Sequence, residues 1–170
     1  MSLEIATDAS TVGGDWSWRL SIADVIEPTP FSKYPGVDRL LMLLEGAQLV
    51  IERGGKSAIV PDTDAALAFT GEEEVVCVPS GAGVRDVNFM MRRDRWRGSL
   101  HIVRNGCIRA DADIVVVYAA RGDIGLSAHD EPDLHLLYEE QTLISYGRVE
   151  ITNKLESAAI VCQMWPIDAA

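Results

Sequence analysis

The sequence predicts an all-β protein built as a sandwich or barrel. Three features carry that prediction: turn residues at short intervals, runs rich in Val, Ile, Leu and aromatics between them, and little sustained helical periodicity. The turn marks are Gly13-Gly14, Pro35-Gly36, Gly46, Gly54-Gly55, Gly71, Pro79 to Gly83, Gly98, Asn105-Gly106, Gly122, Gly125 and Gly147. The runs they separate have strand length.

Taken in order, Trp16 to Ala23 alternates. Trp16, Trp18, Leu20 and Ile22 share one face, and Ser17, Arg19, Ser21 and Ala23 the other, as in a half-buried strand. Both tryptophans are read as core. Tyr34-Pro35-Gly36-Val37 puts Pro and Gly at the centre of a type II turn, where a fixed φ and then a positive φ are needed. Leu40 to Leu44 is apolar on both faces and is expected to be covered on both. Residues 84 to 93, read as a strand, set Val87, Phe89 and Met91 against Asp86, Asn88, Met90 and Arg92. An acid and an amide on one strand face point to a polar ligand site or a fixed hydrogen-bond network. Asp133 to Gln141 is open between a short helix and a strand, because Leu134, Leu137, Tyr138 and Gln141 share a helical face.

A chain of 170 residues, 48% hydrophobic and 24% charged, can bury a full core as one domain. Its net charge of −11 repels phosphate backbones and anionic lipid heads, so neither nucleic acid nor membrane is an expected partner. The basic group Arg92, Arg93, Arg95 and Arg97 reads as a solvated strand end and turn. Cys77, Cys107 and Cys162 are an odd number without close spacing, which argues against a disulfide framework and for small core residues. The longest apolar stretch, Ile114 to Ala120, is too short to cross a bilayer, and the expected location is the cytoplasm.

A weak internal repeat appears at an offset of 76 residues, where Leu40 to Gly46 aligns with Val116 to Gly122, each an apolar run ended by a charge and a glycine. Phe69 to Val76 is similar in character to Tyr138 to Ile144. Two such units suggest a duplicated barrel in one compact chain, 1–170, with approximate halves 1–105 and 106–170.

Several motifs in order then resemble the HutD/Ves family: Trp18 to Val25, Pro30 to Arg39, Leu44-Glu45-Gly46, Phe69-Thr70-Gly71 and Asp86 to Arg93. The resemblance runs from about Glu4 to the C-terminus, its specific motifs lying in the first hundred residues. It implies an RmlC-like cupin fold, a bicupin whose halves are double-stranded β-helix barrels, and an association with histidine utilisation. The Trp-Lys-Asn-Gly-Gly-Gly-like opening common in the family is absent here.

Metal-dependent cupins need clustered histidines with a carboxylate, and His101, His129 and His135 contain no His-x-His pair, so no metal and no cofactor is expected. No nucleophile elbow or dinucleotide fingerprint is present either. What remains is Arg19, Ser21, Arg39, Asp86, Asn88 and Met90, with Phe31 and Tyr34 beside the Pro-Gly turn. An arginine, Arg19 or Arg39, suits a carboxylate because its guanidinium forms two parallel hydrogen bonds. Asp86 could orient that arginine, and Asn88 offers a donor and an acceptor to an amide or formyl group. The competing reading is a buried Arg39–Asp86 ion pair of purely structural value.

Three functions follow as expectations. The first is a metal-free, non-catalytic binder of a small acidic metabolite of histidine degradation, such as formylglutamate, with a sensing or accessory role. The second is a cupin-type isomerase or hydrolase with Asp86 as acid or base. The third is a structural or interaction protein without a ligand; homodimer formation is open in each case.

Overall fold

The computed structural model describes residues 2–11, 14–60, 66–128, 131–153 and 156–167, and among them are seventeen strands and no helix. The chain divides into two units, Met1–Trp96 and Arg97–Ala170. The strands of the first are β1 (Ser2–Thr7), β2 (Trp18–Val25), β3 (Thr29–Pro30), β4 (Val37–Glu45), β5 (Leu49–Arg53), β6 (Lys56–Ile59), β7 (Leu67–Thr70), β8 (Val75–Pro79) and β9 (Val84–Arg92). They form two sheets, ordered β1-β2-β9-β4-β7 and β3-β8-β5-β6, whose paired strands run antiparallel. The core of this unit lies between the sheets: Val25, Leu41, Leu43, Phe69 and Val84 from the first meet Leu49, Ile51, Val75 and Cys77 from the second. Burial on both faces of β4 matches its unbroken apolar run, with Leu41 to Leu44 all buried.

The second unit contains β10 (Trp96–Val103), β11 (Gly106–Ala110), β12 (Ile114–Arg121), β13 (Ile124–Ala128), β14 (Glu131–Leu137), β15 (Thr142–Ser145), β16 (Val149–Asn153) and β17 (Ala158–Pro166). Its sheets are ordered β10-β17-β12-β15 and β11-β16-β13-β14. Raising each strand number of β2-β9-β4-β7 and β3-β8-β5-β6 by eight reproduces these two orders. Even the irregularities recur: β4 shifts register between Leu43 and Glu45 against β9, and β12 between Ala119 and Arg121 against β17. Two units of like topology are what a duplicated barrel requires, and β1 is an additional strand on the edge of the first.

One open choice is decided and two sequence expectations change. Asp133 to Gln141 is not helical: β14 ends at Leu137, and Tyr138 and Gln141 then bond across a tight turn, because pairing with β13 rewards extended backbone more than one helical turn could. Cys107 is exposed on β11, opposite Thr152, while Cys77 and Cys162 are buried. The match of Phe69 to Tyr138 is not the structural one, since β7 corresponds to β15 and their first residues are Leu67 and Thr142. The type II turn stands as expected, with Gly36 at φ 76°. Among the described residues, no helix is long and apolar enough to cross a membrane.

Candidate functional site

Antiparallel register decides which side chains converge on the inner face of the first unit. Arg19 on β2 and Arg39 on β4 both pair with Met90 on β9, Ser21 and Leu41 both pair with Asn88, and Ala23 and Leu43 both pair with Asp86. Residues directly opposite share a face, so the polar residues of β2 and β9 and the guanidinium of β4 form three consecutive rungs. Arg39 also pairs with Phe69 on β7. A cavity of about 480 Å³ opens over these rungs, and Arg19, Ser21, Phe31, Tyr34, Arg39, Asp86, Asn88 and Met90 all line it. The sequence thus named eight residues that the fold brings together; Ser32 and Ala23 also line the cavity, and Phe69 stands behind Arg39.

The opposite wall is a strap, residues 31–36, pinned at each end. Phe31 N–H donates to Val75 O, Tyr34 N–H to Gly71 O, and Gly36 N–H to the Glu72 carboxylate. Glu72 also accepts from Arg93, and these donors hold its carboxyl down at about 2. Gly71 is required there, because a Cβ would lie 2.2 Å from Tyr34 O. Phe31 stacks parallel to Phe69 at 6.0 Å, and the Arg39 guanidinium rests against both rings, 4.4 Å and 5.0 Å from their centroids. Such cation–π contacts fix the guanidinium without consuming its hydrogens.

Arg39 is 3% exposed, and burial lowers its pKa to about 10. Its Nε donates weakly to Asn88 Oδ1 at 3.4 Å and its Nη1 to Ser32 O at 3.2 Å, both uncharged acceptors. Asp86 has no exposed surface, and neither carboxyl oxygen has a hydrogen-bond partner. Burial raises its pKa to about 7, with the Arg39 charge opposing. The two groups therefore sense each other but form no ion pair. Arg19 differs: its Nε lies 2.9 Å from Glu4 Oε2, though not in hydrogen-bonding orientation, and its charge is already balanced. Cys77, buried beside this pair, has its thiol pushed up to about 12 by burial.

Trp16 lies outside β2, half-buried and edge-to-face with Tyr34, with the Arg92 guanidinium 5.6 Å above it; it is not core. The chain leaves the sheet before reaching it, because the Asp8 carboxylate takes the N–H groups of Ser17 and Trp18. Trp16 lines a separate, larger cleft with Arg92, Arg93 and Arg95, but Asp8, Asp15 and Asp94 line it too. Arg93 there bridges Asp38 and Glu72. Charge in that cleft is internally balanced, three arginines against three aspartates. Among the described residues no His, Cys, Asp or Glu cluster is placed to hold a metal ion, and His129 lies outside those residues.

The HutD family model matches residues 1–163. The chain is 31% identical over 128 residues to an uncharacterized 21.2 kDa protein in the hutC 3' region of Pseudomonas putida, an alignment covering 73% of this chain and 66% of that protein. The chain spans less than two thirds of that relative's length. Among solved structures it is similar to a conserved protein of unknown function from Pseudomonas aeruginosa PAO1, with TM-score 0.82, 26% identity, and 96% of this chain and 88% of that one covered. HutD from Pseudomonas fluorescens SBW25 superposes with TM-score 0.75 at 24% identity over 98% of this chain and 88% of that one. A cupin 2 conserved barrel domain protein from Leptotrichia buccalis gives 0.58 at 7% identity over 95% and 86%, which places the fold among the cupins.

Proposed function

The chain belongs to the HutD family, and from that premise we propose that it binds a small organic acid in the cavity of its first unit, without a metal and without turnover. The observation that carries the reading is the buried Arg39 guanidinium, which has no anion in hydrogen-bonding contact. A buried arginine normally has an anionic partner, and here both of its protein acceptors are neutral. A ligand carboxylate would supply the missing charge, with Asn88 beside it for an amide or formyl oxygen.

The second unit supports this reading by contrast. In matching register, Arg39 corresponds to Val115, Asn88 to Val161 and Asp86 to Ala159, all packed in an apolar core. The barrel closes well without polar groups at these positions. Their presence in one unit only costs stability without a structural return, and this supports a functional reading of them.

The ligand class we favour is an acidic metabolite of histidine degradation such as formylglutamate, bound in the cytoplasm in a sensing or accessory role. The relative encoded in a hutC 3' region agrees with that setting. Formylglutamate or urocanate should raise the melting temperature of the protein, and Arg39→Ala should abolish the shift. No shift with any acid of the pathway counts against the proposal. One observation favours a second reading, an isomerase or hydrolase: Asp86 has a pKa near neutrality, as a general acid or base requires. Turnover that disappears in Asp86→Asn would distinguish it.

A further inference from the structure

Asp86 is a buried group of the cavity to which the binding reading gives no part. Both of its oxygens lack a hydrogen-bond partner, it has no exposed surface, and it shares the inner face with Asn88 and Arg39. The corresponding residue in the second unit is alanine, Ala159, so the barrel itself does not require an acid there. An unpaired buried carboxyl is among the most destabilising features a core can hold.

Charge decides what it must do when the cavity fills. Three charged groups would then face one another: the Arg39 cation, the ligand carboxylate and Asp86. One cation balances one anion, and Arg19 is already opposed by Glu4. For the one carboxylate that Arg39 holds, the buried end of the filled site is neutral only if Asp86 carries a proton. We propose that Asp86 enters the complex as the neutral acid, donates its O–H to an oxygen of the bound organic acid, and so makes binding consume one proton. The balance is simple: ionised Asp86, a solvent proton and the ligand anion become protonated Asp86 hydrogen-bonded to that anion, with no other bond made or broken. Asp86 is then a specificity residue, favouring ligands that present a second oxygen acceptor beside the carboxylate held by Arg39.

The groups around Asp86 agree with this direction. Arg39 on β4 opposes protonation in the free protein, and a ligand carboxylate would cancel that opposition. Asp24 on β2 favours protonation, and it is ion-paired with Arg85. Cys77 on β8 is neutral, its thiol held at about 12, and the amino terminus opposes protonation most weakly. Glu27 and Tyr34 complete the titratable lining. With Asp86 near 7 in the free protein, the proton is in place at pH 6 and must be taken up from solvent at pH 8.5.

The inference rests on the binding reading, and calorimetric titration with N-formyl-L-glutamate and with formate separates the two. Neither probe changes protonation between pH 6 and pH 8.5, since carboxylic acids of this kind titrate near 4. Affinity should fall about 30-fold over that interval, and heats in two buffers of different ionisation enthalpy should report about one proton taken up at the higher pH. Asp86→Asn, whose amide donates without a solvent proton, should bind with nearly equal affinity at both values. Binding by the wild-type protein that is independent of pH, without proton uptake, overturns the inference and leaves the ligand reading standing. A pH dependence that persists in Asp86→Asn also overturns it. No heat from either probe at either pH removes the ligand reading itself, and this inference with it.

Discussion

Arg39 and Asp86 each hold a charge that the folded chain solvates poorly, and the cost has a sign that pH exposes. The folded pKa of Asp86, about 7, lies above its unfolded value of 3.8. The native state therefore keeps this proton longer than the unfolded chain, and the stability from this group declines as pH rises between the two values and is level above them. At pH 8 the loss approaches about 4 kcal/mol at most. Asp86→Asn removes it, so the variant should gain urea midpoint relative to wild type on going from pH 4.5 to pH 8; parallel changes in the two proteins would contradict the assignment. Alternation along β2 and β9 made the polar face legible, because a period of two needs no tertiary information. That Arg39 and Asp86 would stand apart was not legible, since the separation depends on Phe31 and Phe69 holding the guanidinium. Trp16 misled for a related reason: alternation continues through it in the sequence, but Asp8 captures the backbone of Ser17 and Trp18 and ends the strand.

Among the elements, the strap of residues 31–36 matters most to the site, because it supplies Phe31, Ser32 and Tyr34 to the cavity wall. Its Pro-Gly turn was readable from local chemistry, whereas its anchorage came from segments some forty residues away in sequence, Glu72 and Gly71. Gly71 is the tightest point, with Tyr34 O in the place of a side chain. Gly71→Ala should displace the strap, costing on the order of 1–3 kcal/mol, and should also remove ligand-induced stabilisation. A variant with wild-type melting temperature and an undiminished ligand shift would show that the strap is no part of the site. Residues 133–141 mark the opposite limit of local reading. A nine-residue apolar pattern fits one helical face and one strand equally, and only pairing with β13 decides.

On the scale of the whole molecule, one topology is used twice with two different interiors. The second unit is closed by Val115, Val117, Ala159, Val161 and their neighbours, and the first gives up part of that packing for a cavity. The alignment of Leu40 to Gly46 with Val116 to Gly122 was visible in the sequence because both runs end in a register shift and a glycine with positive φ, Gly46 and Gly122. The chemical asymmetry is equally a matter of sequence, but it can be read only after register says which residues correspond. The most direct test of the account is a crystal structure of the protein with N-formyl-L-glutamate bound. We expect a ligand carboxylate within hydrogen-bonding distance of the Arg39 guanidinium and a second oxygen facing Asn88 and Asp86; a ligand seated instead in the cleft of Trp16, Arg92 and Arg95, with Arg39 untouched, would contradict it.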